Sequence, residues 1–392
     1  MRTFMLTTLM LLALLLVACG GGEPAADVAE EEPTAETASP TEATEEEGQP
    51  GENLATEEPE STTEPAPASE ETAQEGGSML QKVKDRGQLN CGVTANLAGF
   101  GNLGSDGEHS GFDSDFCRVI AAAVLGDAEA IEFRVLSDQE RFTAVQTGEV
   151  DILIMNTTNT ISRETSVGLD FGPTTFYDGQ GMIVRKDSDI ETLEDMDGAD
   201  ICVTQGTTTE LNLADQFRAL DIEFTAITIN DDDQIRQAYD SGQCDGYTTD
   251  KSGLISQQTQ LNNPDEHKIL ALTMSKEPLA PSVLQGDAQW RDIMNWAVYA
   301  TFQAEEFGIT QDNLDEMLKS DDPNIARFLG QEGTLGEDLG LDNDFVVNII
   351  KAVGNYGEIF DRNLGPDTPF NLPRGLNEQY YNGGLIYSPP FR

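Results

Sequence analysis

Short apolar runs alternate with amphipathic segments along residues 79–181. The apolar runs have the length and composition of buried parallel strands, and they cover residues 89–93, 131–136 and 150–155. The segments between them repeat apolar residues at helical spacing, and they cover residues 112–125 and 142–146. Strands that alternate with helices in this way favour an α/β sheet.

The same alternation restarts after residue 181. Predicted strands cover residues 181–185, 200–204, 224–229, 247–249 and 269–274. Predicted helices cover residues 210–219, 234–241, 252–260, 290–307 and 344–354. We therefore predict a two-lobe α/β fold in which residues 79–181 begin lobe 1, residues 182–275 form lobe 2, and residues 276–392 return to lobe 1 with a C-terminal extension. The chain is expected to cross between the lobes near 177–184 and 271–279, which would form a hinge.

Residues 1–19 have the pattern of a secretion signal. Arg2 precedes an uncharged, largely apolar run over residues 4–18, which is too short for a bilayer span of about 20 residues. The run ends in Leu16-Val17-Ala18-Cys19, which resembles the lipobox of bacterial lipoproteins. This resemblance implies that Cys19 is lipidated and becomes the mature N-terminus. The alternative is a signal peptide that is cut elsewhere, with Cys19 incidental.

Residues 20–78 have the composition of a disordered acidic tether. They are rich in Glu, Pro, Ala and Thr, contain 18 acidic residues, and lack Lys and Arg. Such a segment cannot bury enough apolar surface to fold, and its like charges extend it. A flexible coil of this length spans about 45 Å or more. We expect it to hold the folded part away from the membrane.

The acidic charge of the chain excludes several function classes. The formal net charge is −49, and −32 remains after the tether and Arg2 are set aside. A nucleic-acid-binding protein needs a basic surface, and an anionic membrane surface would repel this chain. The charge fits either a very soluble extracytoplasmic surface or one adapted to high salt, and the sequence does not decide between these two.

The five cysteines favour disulfides over metal binding. If Cys19 carries lipid, four cysteines remain, and an exported protein occupies a compartment where disulfides persist. Of the three possible pairings we favour Cys91–Cys117 and Cys202–Cys244, because each pair then lies within one predicted lobe. With no Cys-x-x-Cys spacing and only His109 and His267 in the chain, we expect no metal and no cofactor.

Three polar segments lie at the ends of predicted strands, where open α/β sheets bind ligands. Residues 157–163 supply hydroxyls and end in Arg163, which suits a small carboxylate. Residues 205–209 precede a helix whose free N–H groups attract anions. Residues 245–250 end in Asp250, which can pair with an ammonium. Each loop alone also fits a bland interpretation, namely an ordinary turn, a helix cap or a solvated aspartate, but together they match a zwitterionic amino acid.

With these loops the chain resembles the periplasmic amino-acid-binding proteins of ABC importers, and within them the general L-amino-acid-binding subfamily. The resemblance extends over residues 79–392. It implies the type II solute-binding fold, with two lobes and two crossovers. The stretches that carry the resemblance are LNCGV (89–93), GFDSDFCRVIAAAVLGD (111–127), RFTAVQTGEVDIL (141–153), NTTNTISRETSVGLDF (156–171), YDGQGMIVRK (177–186), QGTTTELNLADQFRA (205–219), YTTDKSGL (247–254), NPDEH (263–267), SKEPLAP (275–281) and VGNYGEIFDRNLG (353–365).

The resemblance implies roles for several residues of lobe 1. Arg163 matches the arginine that binds the substrate carboxylate, and Thr158 matches a threonine contact of the substrate. Asn156 occupies a position where relatives often have glycine and contribute backbone atoms. Phe100 lies where relatives place a ring against the substrate side chain. Residues 138–141 lack the second aromatic wall of several narrow-specificity relatives, which favours a broader pocket.

In lobe 2, Gly206, Thr207 and Thr208 match the second set of carboxylate contacts, and Asp250 matches the ammonium-binding aspartate. The resemblance thus implies a monomeric, extracytoplasmic, lipid-anchored receptor that captures L-amino acids by lobe closure and delivers them to the transmembrane subunits of an ABC permease. Two other functions remain open at this point: a ligand-sensing module for a signalling partner, and a dehydratase-like enzyme on the same fold. An enzyme would need a general acid beside the substrate, and neither histidine lies near the predicted cleft.

Overall fold

A computed structural model describes residues 78–392. The predicted signal at 1–19, the lipidation site Cys19 and the predicted tether as far as residue 77 lie outside these described residues. Within residues 78–392, every helix is either too short or too polar to traverse a bilayer.

The described chain forms 15 strands and 12 α-helices. The strands are β1 (Leu89–Val93), β2 (Asn96–Leu97), β3 (Gly101–Leu103), β4 (His109–Ser110), β5 (Ile131–Val135), β6 (Ile152–Leu153), β7 (Leu169–Phe171), β8 (Phe176–Asp178), β9 (Gln180–Arg185), β10 (Ala199–Thr204), β11 (Phe224–Ile229), β12 (Gly246–Asp250), β13 (His267–Ile269), β14 (Glu277–Leu279) and β15 (Ser282–Leu284). The helices are α1 (Met79–Arg86), α2 (Phe112–Leu125), α3 (Arg141–Thr147), α4 (Thr208–Leu220), α5 (Asp232–Asp240), α6 (Lys251–Gln258), α7 (Ala288–Glu306), α8 (Leu314–Met317), α9 (Pro323–Phe328), α10 (Leu335–Leu339), α11 (Phe345–Ala352) and α12 (Tyr356–Asn363).

Two five-stranded sheets define two lobes, as the sequence predicts. Lobe 1 is built on the order β5-β1-β6-β15-β7, in which β1 is parallel to β5 and β6, and β15 is antiparallel to its neighbours. Lobe 2 is built on the order β11-β10-β12-β9-β13, in which β10 is parallel to β11 and β12, and β9 is antiparallel to its neighbours. The parallel strands of both sheets therefore end at loops that are free to form a binding site.

Helix α2 shows how the apolar pattern builds the core of lobe 1. It starts after Gly111 and ends at Gly126, whose φ of 69° gives the left-handed cap that glycine favours. The apolar face predicted from the sequence, which includes Phe116 and Ile120, is buried in the main core. Cys117 on this helix forms a disulfide with Cys91 on β1, so the helix is covalently joined to the sheet.

The core of lobe 2 lies on both faces of its sheet. Helix α4 covers one face through Leu213 and Phe217, and helices α5 and α6 cover the other through residues such as Tyr239 and Leu254. A second disulfide, Cys202–Cys244, lies within this lobe. The structure thus contains the two pairings that the sequence favoured.

Strands β8 and β14 connect the two lobes and pair with each other in antiparallel fashion. Glu277 lies opposite Asp178, and Leu279 lies opposite Phe176. These strands overlap the segments in which the sequence predicts the chain to cross. The pair brings polar side chains of the connecting strands next to the loops of both sheets.

Two predicted strands differ from the observed ones. Residues 150–155 are buried as predicted, but the regular strand covers only Ile152–Leu153, and beyond it the N–H groups of Asp151 and Ile154 still donate to carbonyls of β1. The strand predicted at 269–274 ends at Ile269, and the residues after it make only single hydrogen bonds to β9, from Leu270 and Met274. Burial is complete at 150–155 but partial at 269–274, where Ala271 and Thr273 are exposed. At both places apolar composition overestimated strand length.

Candidate ligand-binding site

A cavity lies between the lobes, at the carboxyl ends of their parallel strands. Its wall in lobe 1 is formed by Leu97, Asp138, Arg141, Asn156, Thr158 and Arg163. Its wall in lobe 2 includes Thr207, Thr208, Asp232, Asp250 and Gln257. Six of the eight predicted binding residues thus line one space, namely Arg163, Thr158, Asn156, Thr207, Thr208 and Asp250.

The two lobes touch across this cavity. Ser256 on α6 donates a hydrogen bond of 2.7 Å to the carbonyl of Ala98, and Gln139 donates to the side chains of Gln205 at 2.9 Å and Asn230 at 3.1 Å. The hydroxyl oxygens of Thr158 and Thr208 lie 3.5 Å apart. The structure therefore represents a closed arrangement of the lobes.

Arg163 is fixed by contacts on its own lobe. It begins a π-helical turn, Arg163–Val167, and is 6% exposed. Its Nη1 donates a 2.6 Å hydrogen bond to the carbonyl of Thr158, and its guanidinium lies 5.0 Å from the ring centre of Phe142. Burial, together with the neighbouring Arg141, lowers the pKa of Arg163 to about 9. The group thus remains a cation at neutral pH and is held ready for an anion.

Asp250 is a buried carboxylate that lacks a full set of partners. It ends β12 and precedes α6, yet its side chain makes no capping bond to that helix. Its Oδ1 atom is buried and has no hydrogen-bond partner among residues 78–392. Burial, with the nearby carboxylates of Asp178 and Glu277, raises the pKa of Asp250 well above its usual value, against the opposing effect of Arg141 and Arg163. An ammonium group would supply both the missing donor and the missing counter-charge.

Glu277 was not predicted from the sequence, and it changes the roles of two threonines. This residue of β14 is 1% exposed, and its Oε2 accepts hydrogen bonds from the hydroxyls of Thr158 at 2.7 Å and Thr208 at 2.9 Å. Its Oε1 accepts from Asn212 Nδ2 at 2.8 Å and from Ser275 Oγ. Because both threonine hydroxyls donate to Glu277, they present lone pairs to the cavity and so accept from a ligand.

The start of α4 combines capping with anion binding. Thr207 caps the helix, since its hydroxyl accepts from the N–H of Glu210 at 3.2 Å and donates to the carbonyl of Thr204 at 2.7 Å. The N–H of Gly206 donates to the Glu210 carboxylate at 2.8 Å, and Gly206 is absent from the cavity wall. The N–H groups of the first two helical residues, Thr208 and Thr209, precede the capped N–H of Glu210 and have no acceptor within the helix, which leaves them suited to a carboxylate.

An ion pair between Asp138 and Arg141 forms the cavity wall at residues 138–141, where several narrow-specificity relatives have an aromatic ring. Arg141 Nη1 lies 2.7 Å from Asp138 Oδ1. The guanidinium carbon of Arg141 lies 5.0 Å from the ring centre of Phe142, the same ring that Arg163 contacts. Asp232 of lobe 2 faces this pair, and burial together with Asp138 and Asp231 raises the pKa of Asp232 to about 7. This end of the cavity therefore offers both signs of charge to a ligand side chain.

Of the predicted site residues, Asn156 has a left-handed backbone and Phe100 lies in the core. Asn156 has a φ of 34°, which asparagine tolerates better than most residues, and its N–H donates to Asp113 at 2.7 Å. Phe100 does not line the cavity: it is 1% exposed, and its ring packs 5.2 Å from Phe176 and 6.0 Å from Phe112. The expected contact of Phe100 with the ligand is therefore corrected to a role in the core, and Leu97 is the apolar residue of this hairpin that reaches the cavity.

Neither histidine belongs to the site. His109 stacks on Phe133 with ring centres 4.6 Å apart, and the Nδ1 of His267 lies 2.8 Å from the hydroxyl of Tyr239 within lobe 2. In the part of the chain that the structure describes, no group of three or more His, Cys, Asp or Glu side chains is arranged to hold a metal ion.

The chain is similar to known proteins over most of its described length. Residues 89–312 match the family described as bacterial extracellular solute-binding proteins, family 3. The general L-amino acid-binding periplasmic protein of Rhizobium johnstonii is 50% identical over 315 residues, which cover 80% of this chain and 92% of that protein. A glutamate/glutamine/aspartate/asparagine-binding protein of Rhodobacter capsulatus is 48% identical over 316 residues, which cover 80% and 94%.

A solved structure shows the same architecture. The ABC transporter periplasmic binding protein of Brucella ovis, with glutathione bound, has 51% sequence identity and a TM-score of 0.79, and the match covers 81% of this chain and all of that one. The two-lobe fold, the cleft at the strand ends and the family match agree with one another. The chain belongs to the bacterial extracellular solute-binding proteins, family 3.

Proposed function

We propose that this protein captures L-amino acids between its lobes and delivers them to the transmembrane subunits of an ABC permease. The observation that carries the proposal is the buried Oδ1 of Asp250, which lacks a partner among the described residues and lines the same cavity as the cation Arg163. A ligand with an α-ammonium and an α-carboxylate complements this pair. Arg163 and the first turn of α4 bind the carboxylate, while Asp250 and the lone pairs of Thr158 and Thr208 bind the ammonium.

The relatives support this ligand class. The Rhizobium and Rhodobacter relatives are named as amino-acid-binding proteins. Glutathione, which is bound in the Brucella structure, carries a free α-ammonium and α-carboxylate on its glutamyl residue. The side-chain end of the cavity, with Arg141, Asp138 and Asp232, offers partners of both charges, and this supports a broad choice of side chains.

Closure of the lobes is the means of capture in this proposal. The contacts of Arg163 come from lobe 1 and those of Asp250 from lobe 2, so a ligand gains both sets only in the closed arrangement. Closure also removes the ion pairs from bulk water, which strengthens them. We assign residues 79–181 and 276–392 to lobe 1 and residues 182–275 to lobe 2, except that Gln180 and Gly181 pair within the sheet of lobe 2. We also propose that the protein acts as a monomer without catalysis.

The proposed function is tested by calorimetry with matched variants. Asp250→Asn is expected to weaken L-amino-acid binding by about 30-fold to a few thousand-fold, which is the effect of losing one partner of a buried charge pair. Its affinity for analogues without the ammonium should change far less. Asp265→Asn, at an exposed position of the same lobe, is the control and should bind as the wild type does. Equal losses for amino acids and for the analogues would remove Asp250 from its role.

We further propose that lipid on Cys19 anchors the mature protein to the membrane, with residues 20–78 as its spacer. Mass spectrometry of the membrane-extracted protein should find a diacylglyceryl-modified cysteine at the mature N-terminus. An unmodified first residue would contradict the anchor and leave the binding site unaffected.

A further inference from the structure

Gln257 is a buried side chain whose hydrogen bonds are not made within the protein. It lies on α6, is 2% exposed and lines the cavity between the lobes. Neither its Nε2 nor its Oε1 has a hydrogen-bond partner among residues 78–392. Buried polar groups in folded proteins are almost always paired, so an amide with neither of its groups paired calls for a partner from elsewhere.

Such unpaired atoms concentrate in this cavity. Of the ten buried side-chain nitrogen and oxygen atoms that lack partners in the described part of the chain, four belong to residues of the cavity wall. They are Oδ1 of Asp250, Nε of Arg141, and the two amide atoms of Gln257. Asp250 is the proposed ammonium site, so the amide of Gln257 is available to another part of the ligand.

The polar side chains next to Gln257 on α6 are hydrogen-bonded within the protein. Ser256 donates to the carbonyl of Ala98 at 2.7 Å, and Gln258 donates to the carbonyls of Pro264 and His267 at 3.0 Å each. Ser256 therefore joins lobe 2 to lobe 1, and Gln258 stabilises the loop that follows α6. The unpaired state of Gln257 is specific to the face of α6 that meets the cavity.

The geometry of α6 directs this amide toward the ligand. Side chains on a helix lean toward its N-terminus, so Gln257 extends back over Gly253, one turn earlier, in the direction of Asp250. Gly253 has no side chain to occupy that space. A Cβ atom there would lie 3.3 Å from Cγ2 of Thr249 in lobe 2 and 3.9 Å from Cδ1 of Leu97 in lobe 1, so Gly253 lies where the two lobes meet. The amide thus lies on the cavity side of α6, in the same wall as the proposed ammonium site Asp250.

We propose that Gln257 is a specificity-determining residue that pairs with the polar end of the ligand side chain and favours a primary amide, as in glutamine and asparagine. An amide of the ligand can satisfy Nε2 and Oε1 together, whereas a carboxylate can accept from Nε2 but leaves Oε1 unpaired. An aliphatic side chain leaves both atoms of Gln257 buried and unpaired. The proposal rests on the proposed function, because it assumes that the amino acid is held by Arg163 and Asp250.

The test compares glutamine, glutamate and methionine by calorimetry on the wild type and on Gln257→Leu. The variant is expected to bind glutamine about 10- to 100-fold more weakly, while its affinity for methionine stays unchanged or rises. Gln260→Leu makes the same chemical change at an exposed position beyond the end of α6 and should leave all three affinities unchanged. Thermal melting verifies that each variant is folded.

The outcomes separate this proposal from the proposed function. If the wild type binds none of the three amino acids, the proposed function fails. If it binds them but Gln257→Leu weakens all three equally, or none, the role of Gln257 in specificity is refuted. A wild type that binds methionine as tightly as glutamine refutes it as well. Should Gln257→Leu not fold, Gln257→Glu is used instead, and it must lose glutamate more strongly than methionine for the proposal to stand.

Discussion

Replacing Glu277 by alanine removes a carboxylate that bonds to both lobes at once. Its Oε2 accepts from Thr158 of lobe 1 and from Thr208 of lobe 2, and its Oε1 accepts from Asn212 on α4. When the cleft opens, Thr158 and Thr208 separate, so Oε2 can no longer hold both hydroxyls. Closure is therefore worth at least one hydrogen bond to a charged acceptor, which is about 1.5–3 kcal/mol.

This energy sets the size of the expected effect. A loss of about 1.5–3 kcal/mol lowers the ratio of closed to open protein by about 10- to 150-fold. Where the closed state is the minor one without ligand, the apparent Kd rises by the same factor. The apparent Kd of Glu277→Gln should lie between those of the wild type and Glu277→Ala. Its single amide oxygen can accept from only some of the four side chains that donate to Glu277, which are Thr158, Thr208, Asn212 and Ser275.

The assay pairs calorimetry with small-angle X-ray scattering of the ligand-free and ligand-saturated protein. Glu277→Ala should show the larger Kd and a larger radius of gyration at subsaturating ligand. Lys276→Ala, at the exposed position next to it, serves as the control and should behave as the wild type does. A Glu277→Ala protein that is folded by thermal melting and binds within twofold of the wild type would refute the role of Glu277 in closure.

Three further variants test separate parts of the account. Burial raises the pKa of Asp113 to about 7, so between about pH 4 and pH 7 the folded protein holds a proton that the unfolded chain has lost. The contribution of this carboxyl group to the unfolding free energy is therefore fully present below about pH 4 and is lost as the pH rises through 7. The stability advantage of Asp113→Asn over the wild type in urea unfolding should therefore grow by about 4 kcal/mol from pH 4 to pH 8, and a constant difference would contradict the pKa. Replacing Cys202 and Cys244 by serine should lower the unfolding free energy by about 4 kcal/mol for a sequence separation of 42, and an unchanged melting temperature would show that the bond does not stabilise lobe 2. Phe100→Leu should cost about 0.5–3 kcal/mol in stability without altering the relative affinities for different amino acids, whereas a changed ligand preference would return Phe100 to the site.

The fold and the position of the cleft could be read from the sequence because both follow local rules. Strand and helix alternate in the apolar pattern, Arg163 ends a loop that follows β6, and Asp250 is the last residue of β12. The carboxyl ends of parallel strands meet at one edge of a sheet, so each residue lies at the ligand-binding edge of the sheet of its own lobe. The two strand-length errors arose because apolar composition shows neither where regular strand pairing ends nor, at Ala271, that a residue is exposed.

The remaining features depend on contacts that no local pattern contains. Phe100 is an aromatic residue between glycines, a pattern that suits a ligand wall or a core position equally, and its partner Phe176 is distant in sequence. Gln257 and Gln258 are identical neighbours, yet only Gln258 finds carbonyl partners in the fold. Glu277 acquires its role from donors on both lobes, and its one sequence signal was its place within the stretch SKEPLAP.

Recognition of the amino-acid zwitterion is the central claim, and one calorimetric comparison tests it directly. The wild type is titrated with L-glutamine, with 4-carbamoylbutanoate, which lacks the ammonium, and with 4-aminobutanamide, which lacks the carboxylate. Because Asp250 and Arg163 each need their own partner, glutamine should bind at least 100-fold more tightly than either analogue. An analogue that binds as tightly as glutamine would contradict the account.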